Sequence, residues 1–108
     1  MPPLSKTPAC GGNFNGSGGT FVWNNKHLTH SAVQAINWKV KVGSTQNGSN
    51  YYQTASPIAD PGGDGTATIQ DPNVANLPGN NTTCWVTPMY QKADQLWYNG
   101  STCWFKST

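Results

Sequence analysis

The chain has 108 residues and a net charge of +2 at pH 7, and charged residues make up only 9% of it. This length suits one domain and is too short for two well-packed cores. The charged residues are six lysines and four aspartates, without any arginine or glutamate. We expect no nucleic-acid partner, because the positive charge is weak and arginine is the usual bidentate reader of phosphate and guanine. The apolar runs are only a few residues long, so we also expect no membrane insertion.

The polar part of the composition is dominated by uncharged residues. Twelve Asn and twelve Gly occur, strong helix formers are scarce, and Thr, Val, Tyr and Trp are plentiful. This balance favours strands and turns over helices. We therefore predict an all-β fold, either a small β-sandwich or a compact barrel of about six to eight short antiparallel strands.

Residues 1–19 are predicted to be a flexible Pro/Gly-rich N-terminal arm, and residues 20–108 a single β domain. Three prolines are followed by five glycines in the arm, and only Phe14 offers a large side chain that can pack. The first residues lack the apolar segment of a signal peptide. A mature secreted chain, a virion protein and a protein exported by another route all fit this start, so we expect an extracellular, virion or cell-surface location.

Several strands follow in chain order. Phe21–Trp23 and Lys26–Leu28 flank Asn24-Asn25, which predicts a two-residue hairpin turn. Residues 36–42 alternate between apolar and polar side chains, which predicts a strand with one buried and one solvated face. The face predicted to be buried carries Ile36, Trp38, Val40 and Val42. Further strands are expected at residues 51–55 and 66–70, separated by turn-rich segments, and residues 71–81 should be a long connection.

Two groups of side chains resemble metal ligands. Asp60 and Asp64, with Asp71 nearby, have carboxylates suited to Ca²⁺, but they lack the spacing of an EF-hand, so a plain Gly-rich turn is the preferred interpretation. His27 and His30 share a face only in a helical turn, and no third ligand is obvious. We therefore predict no cofactor, with Ca²⁺ as the one alternative.

Cys10, Cys84 and Cys103 form an odd set, so at most one internal disulfide joins a pair among them. Their spacing matches no zinc site. The remaining cysteine is then a buried or free thiol, or it forms an intermolecular disulfide. A bridge from Cys10 would fasten the Gly-rich arm.

The segment from Cys84 to Lys106 holds the most informative pattern. Asn99-Gly100 is the favoured dipeptide of a type I′ turn, and it predicts a hairpin in which Leu96 pairs with Cys103. Cross-strand partners share a face of the sheet. The face predicted to enter the core carries Leu96, Tyr98, Cys103 and Phe105. The opposite face carries Gln95, Trp97, Thr102 and Trp104, and Trp85 joins it if Cys84 and Val86 point inward.

This segment resembles the aromatic hairpin of small chitin- and cellulose-binding modules and of phage tail-fibre domains. The matching pattern is Tyr90-x3-Asp94-x-Leu96-x-Tyr98-Asn99-Gly100-x2-Cys103-x2-Lys106. It covers residues 90–106 and departs from the family pattern at Ala93, which stands for Gly, and at Cys103, which stands for Tyr. The resemblance implies that Leu96, Tyr98 and Cys103 are core residues, and it leaves Trp97 and Trp104 outside.

Two interpretations of the tryptophans remain open: a second buried face, or an exposed aromatic platform. Flat indole rings receive the apolar C–H faces of a pyranose, while nearby amides and hydroxyls bind its edges. We therefore predict a carbohydrate-binding, lectin-like domain. The predicted ligand-binding residues are Trp85, Asp94, Gln95, Trp97, Asn99, Thr102 and Trp104.

Other functions remain as alternatives. A structural or assembly subunit of a virion, fibre or filament would use the same face to bind copies of itself, and a secreted effector or inhibitor would use it to bind a protein. Only four aspartates could supply a catalytic carboxylate pair, and three of them lie in predicted turns. No Ser lies in a nucleophile-elbow motif, so we predict no enzyme activity.

Overall fold

The computed structural model describes residues 5–25, 34–62 and 67–108, without the side chains of residues 5 and 6. Ten β-strands and no helix lie in these ranges. The strands are β1 (Ser5–Thr7), β2 (Asn13–Phe14), β3 (Gly19–Asn24), β4 (Asn37–Gly43), β5 (Tyr52–Gln53), β6 (Ile58–Ala59), β7 (Thr68–Val74), β8 (Thr82–Gln91), β9 (Trp97–Asn99) and β10 (Cys103–Ser107). The all-β prediction is confirmed.

The strands form two sheets. The smaller sheet has the order β1-β3-β7, and the larger has seven strands in the order β2-β10-β8-β4-β5, with β6 also paired to β4 and β9 also paired to β8. Among the described residues the larger sheet does not close on itself, so the barrel alternative is wrong. The expectation of purely antiparallel pairing is also wrong, because β2 runs parallel to β10.

Strand β4 confirms the clearest pattern in the sequence. Its side chains alternate between half-buried and buried, and Trp38, Val40 and Val42 are fully buried. Ile36 lies just before the strand and is 40% exposed, so its predicted place in the core is wrong. The polar members of the same strand, Lys39 among them, lie on the opposite side of the sheet.

The core receives side chains from both sheets. Phe21 of β3 meets Phe105 of β10 edge to face, with ring centroids 5.8 Å apart. Trp23 of β3 lies 6.2 Å from Trp38 of β4. Such tilted and T-shaped aromatic contacts add to the free energy gained by burying the rings. The two sheets therefore share one hydrophobic core.

Residues 5–19 differ from the expected flexible arm. Strand β1 pairs with β3 of the smaller sheet, and β2 pairs with β10 of the larger one. Phe14 packs against Phe21 with ring centroids 4.6 Å apart. The prediction missed these contacts because each pairing partner lies far along the chain or across a Gly-rich turn.

Strand β7 is longer than predicted and begins later. It spans Thr68–Val74 and includes Pro72, in a segment where a connection was expected. The proline is tolerated because β7 is an edge strand of the smaller sheet and its register with β3 shifts next to it. The predicted turn at Asn24-Asn25 leads into residues 26–33, which lie outside the described residues.

Candidate functional site

Strand β8 organises the C-terminal part of the larger sheet. Its last residues pair with β9, so that Tyr90 lies opposite Tyr98, and its first residues pair with β10, so that Trp85 lies opposite Trp104. Strands β9 and β10 therefore follow one another along the same edge of β8 instead of pairing with each other. Between these two ladders, residues 100–102 lie opposite only two residues of β8, 87 and 88. One extra residue on one strand defines a β-bulge.

The predicted hairpin at Asn99-Gly100 is wrong. The chain reverses earlier, between Lys92 and Leu96, where Gln95 adopts φ 68° and the Gln95 N–H donates to the Lys92 carbonyl at 2.9 Å. Gly100 instead lies in the bulge, and its N–H donates to the carbonyl of Pro88 at 2.6 Å. Pro88 has no N–H that could donate a hydrogen bond back across this edge of β8. The regular ladder is therefore interrupted there, and the bulge accommodates the interruption.

The observed pairing of β9 and β10 with β8 agrees only in part with the predicted inward and outward faces. Phe105 is fully buried, and Tyr98 stacks on Tyr90 with ring centroids 5.5 Å apart. Leu96, predicted as core, lies in the turn and is 61% exposed. Trp97 and Trp104 share a face, as predicted, but the bulge separates them along the strand, so they are not diagonal neighbours.

The outer face, meaning the side of the seven-stranded sheet opposite the core, carries two tryptophans side by side. Trp85 and Trp104 are direct cross-strand partners, which places their Cβ atoms about 5 Å apart. Trp104 is 41% exposed and Trp85 is half-buried. We call these two residues the indole pair.

Small and polar residues border the indole pair. A Cβ added at Gly11 would lie 3.7 Å from the Trp104 ring, so the N-terminal segment passes beside that indole with no side chain in the way. On the other side, Gly43 of β4 is paired with Trp85, and the loop of residues 44–50 covers Gly43 so closely that a Cβ there would lie 2.5 Å from Gly48. Asn50 anchors this loop by accepting a hydrogen bond from the Ser44 N–H at 2.9 Å.

The rest of the outer face is polar and basic. Thr87 is fully buried on this side and donates to Thr102 at 2.9 Å. Farther along, the Lys39 ammonium lies 5.1 Å from the centroid of the Trp97 ring. Near the indole pair, Lys106 donates to the Thr83 hydroxyl at 2.6 Å and lies 6.0 Å from the Trp104 ring.

The predicted ligand-binding residues thus fall into three places. The indole pair and Thr102 lie close together, Trp97 and Asn99 lie farther along the same face, and Asp94 and Gln95 lie in the turn between β8 and β9. In that turn Asp94 accepts hydrogen bonds from the Tyr98 hydroxyl and from the Leu96 N–H. These two hydrogen bonds stabilise the turn, and the Tyr98 contact lowers the pKa of Asp94.

The sequence prediction missed the lysines of the outer face and the loop of residues 44–50. The alternation of β4 already placed Lys39 and Lys41 on a solvated side. The pairing of β4 with β8 and of β8 with β10, which brings them onto one surface with the indole pair, joins segments that are distant in sequence.

A second concave region lies between β5 and β7, at the rim of the core. A cavity of about 160 Å³ is lined there by Tyr52, Thr54 and Asp71, among others. Asp71 is almost completely buried and accepts hydrogen bonds from the Tyr52 hydroxyl at 2.7 Å and from the Thr54 hydroxyl at 2.8 Å. Burial and the contact with Asp71 raise the pKa of Tyr52.

The two described aspartates that were considered as Ca²⁺ ligands accept hydrogen bonds in separate networks. Asp60 accepts from the Trp38 indole N–H at 2.8 Å, whereas Asp71 accepts from Tyr52 and Thr54. Asp64 lies outside the described residues, as do His27 and His30. Within the described ranges, no three His, Cys, Asp or Glu side chains come together as a metal site.

One disulfide is present, as the cysteine count predicted. It joins Cys10 to Cys103, with Cα atoms 5.5 Å apart, and it fastens the Gly-rich segment to β10. Cys84 is a free, fully buried thiol, and burial raises its pKa. A buried thiol in the core is poorly placed for an intermolecular bridge.

Comparison of the chain with protein-family models, with curated proteins and with solved structures found no match. No helix within the described ranges is long and apolar enough to cross a membrane.

Proposed function

We propose that the protein is a carbohydrate-binding domain whose binding surface is the outer face around the indole pair. The observation that carries the proposal is the direct pairing of Trp85 and Trp104 on the side of the sheet away from the core, with Trp104 41% exposed. Adjacent apolar side chains that are left open to solvent often mark a surface that contacts a partner. We also take the two sheets to be the layers of a small β-sandwich.

The surroundings of the indole pair suit a sugar ring. The apolar C–H face of a pyranose stacks on an indole, and its hydroxyls need donors and acceptors at the rim. Thr83, Thr102 and the polar loop of residues 44–50 border the two rings. Gly11, which has no side chain, lies beside the Trp104 ring. The Cys10–Cys103 disulfide is consistent with an extracellular or surface location.

Pull-down on insoluble chitin and cellulose, followed by titration with soluble oligosaccharides while indole fluorescence is recorded, tests the proposal. We expect Trp104→Ala to weaken binding about tenfold or more, since one stacking contact contributes about 1 kcal/mol beyond the area it buries. The matched control is Leu96→Ala, which removes an exposed apolar side chain from the turn and should bind as the wild type does.

Two results would overturn this proposal. One is the absence of binding to any polysaccharide on a broad glycan array. The other is a stable dimer, seen by light scattering, that Trp104→Ala dissociates, because a second copy of the chain would then be the occupant of the outer face.

A further inference from the structure

The outer face carries three lysines on the same side as the indole pair. Lys39 is paired with Met89, Lys41 with Thr87, and Lys106 with Thr83. These β8 residues alternate with positions of that strand whose side chains enter the hydrophobic core. Cross-strand partners share a face, so all three ammonium groups project from the surface that holds Trp85 and Trp104.

Two of these ammonium groups lie next to indole rings. Lys106 lies 6.0 Å from the centroid of Trp104, and Lys39 lies 5.1 Å from that of Trp97. These are cation–π distances, at which the ring attracts the ammonium without neutralising it. The ammonium groups lie over the rings, so a ligand that stacks on either indole meets a positive charge there.

The aspartate side chains of the described residues form hydrogen bonds elsewhere. Asp60 accepts from Trp38, Asp71 from Tyr52 and Thr54, and Asp94 from Tyr98. Within the described part of the chain, the lysines of the outer face therefore have no aspartate side chain as a hydrogen-bond partner. Burial lowers the pKa of Lys41, and nearby negative charge would have the opposite effect. An anionic ligand would supply the missing charge.

We propose that the ligand of the outer face is an acidic polysaccharide, whose sugar rings stack on the indoles while its carboxylate groups bind Lys39, Lys41 and Lys106. This inference rests on the proposed function and narrows it from any glycan to an anionic one. Lys39 and Lys41 are two residues apart on one strand, about 7 Å, so adjacent acidic groups along one chain can reach both.

A single-stranded nucleic acid is the other polymer that combines rings with negative charge. The observations favour the glycan. Three lysines neutralise few phosphates, and nucleic-acid affinity depends on many such contacts. The chain also lacks arginine, whose planar fork binds phosphate with two hydrogen bonds. The loop of residues 44–50 offers amides and hydroxyls suited to sugar hydroxyls.

The test compares polygalacturonate with carboxyl-reduced polygalacturonate, which has the same linkage without the charge, by calorimetry at low and at high salt. We expect at least tenfold tighter binding of the acidic polymer at low salt, and a smaller preference at high salt because surface charges are screened. The triple variant Lys39→Gln/Lys41→Gln/Lys106→Gln should lose this preference. Lys92→Gln is the matched control, because Lys92 lies over Tyr98 at the turn, away from the outer face.

Each outcome separates the two proposals. Equal binding of both polymers overturns the acidic specificity and leaves the glycan function intact, whereas failure to bind any acidic or neutral glycan overturns both. Tighter binding of an oligothymidylate than of polygalacturonate assigns the face to nucleic acid and overturns both. If circular dichroism shows that the triple variant is unfolded, the single variant Lys106→Gln must show at least a twofold reduction of the preference, and an unchanged preference counts against the proposal.

Discussion

Trp38 and Trp104 lie on opposite sides of the same sheet and have different surroundings. Trp38 is fully buried, its indole N–H donates to Asp60 at 2.8 Å, and its ring lies 5.7 Å from that of Tyr90. Trp104 is 41% exposed and is bordered by Gly11 and Lys106. The Trp38 indole fills space in the core, whereas the Trp104 indole is open to contact from solvent or a ligand. Because side chains alternate between the two faces of a sheet, tryptophans on the inner face stabilise the fold, whereas those on the outer face, in our proposal, bind a ligand.

The largest expected effect is on the inner side. Trp38→Ala should lower the free energy of unfolding by about 3–5 kcal/mol, since it leaves a cavity and removes a hydrogen-bond donor from Asp60. Trp104→Ala should cost about 1 kcal/mol, a usual value for a single substitution. Urea denaturation of both variants measures the difference, and equal losses would contradict this division of the sheet.

Loss of the disulfide should come next. Cys10→Ser/Cys103→Ser opens a link between residues 93 apart in sequence, and we expect it to cost about 2–5 kcal/mol. Reducing agent should lower the urea midpoint of the wild type by a similar amount. The Cys84→Ala variant should keep this sensitivity to reducing agent, because its bridge is intact. A midpoint that stays constant while thiol titration shows the bridge to be open would contradict the prediction.

The smallest effect concerns Tyr52, at the rim of the core. Tyr52→Phe should cost about 1 kcal/mol at neutral pH through loss of the hydrogen bond to Asp71. The pKa of Tyr52 is raised in the folded protein, so its contribution is complete below the ordinary tyrosine pKa of 10.0 and is lost as the pH rises through the higher, folded value.

Urea midpoints of the wild type and of Tyr52→Phe, measured at about pH 8 and about pH 11, check this sign. The difference between the two proteins should shrink at the higher pH. A difference that grows with pH would show that the hydroxyl has the opposite linkage. The other tyrosines are common to both proteins and cancel in the comparison.

Local patterns predicted the inner side of the sheet well. The alternation of β4 correctly identified Trp38, Val40 and Val42 as core, because a strand with one buried face imposes a period of two on its own sequence. Composition likewise predicted the all-β class. These features depend on residues that are close together in the chain.

The outer side depended on partners that local patterns do not reveal. Asn99-Gly100 is a strong hairpin signal, yet Pro88, about a dozen residues earlier, faces this dipeptide and makes it a bulge. Likewise the lysines of β4 were predicted to be solvated, but their shared surface with Trp85 and Trp104 follows only from the register of β4, β8 and β10. The sequence alone therefore predicted that these tryptophans point away from the core, but it did not predict which residues surround them.

The parallel pairing of β2 with β10 has a consequence for how the domain reaches its native state. Asn13 and Phe14 meet Lys106 and Ser107 across almost the whole length of the chain, and β10 lies inside the sheet between β2 and β8. Before the Cys10–Cys103 bridge forms, closing so large a loop costs conformational entropy ahead of any contact, and folding rates fall as the mean sequence separation of contacts rises. Spontaneous refolding of the reduced chain should accordingly take milliseconds to seconds.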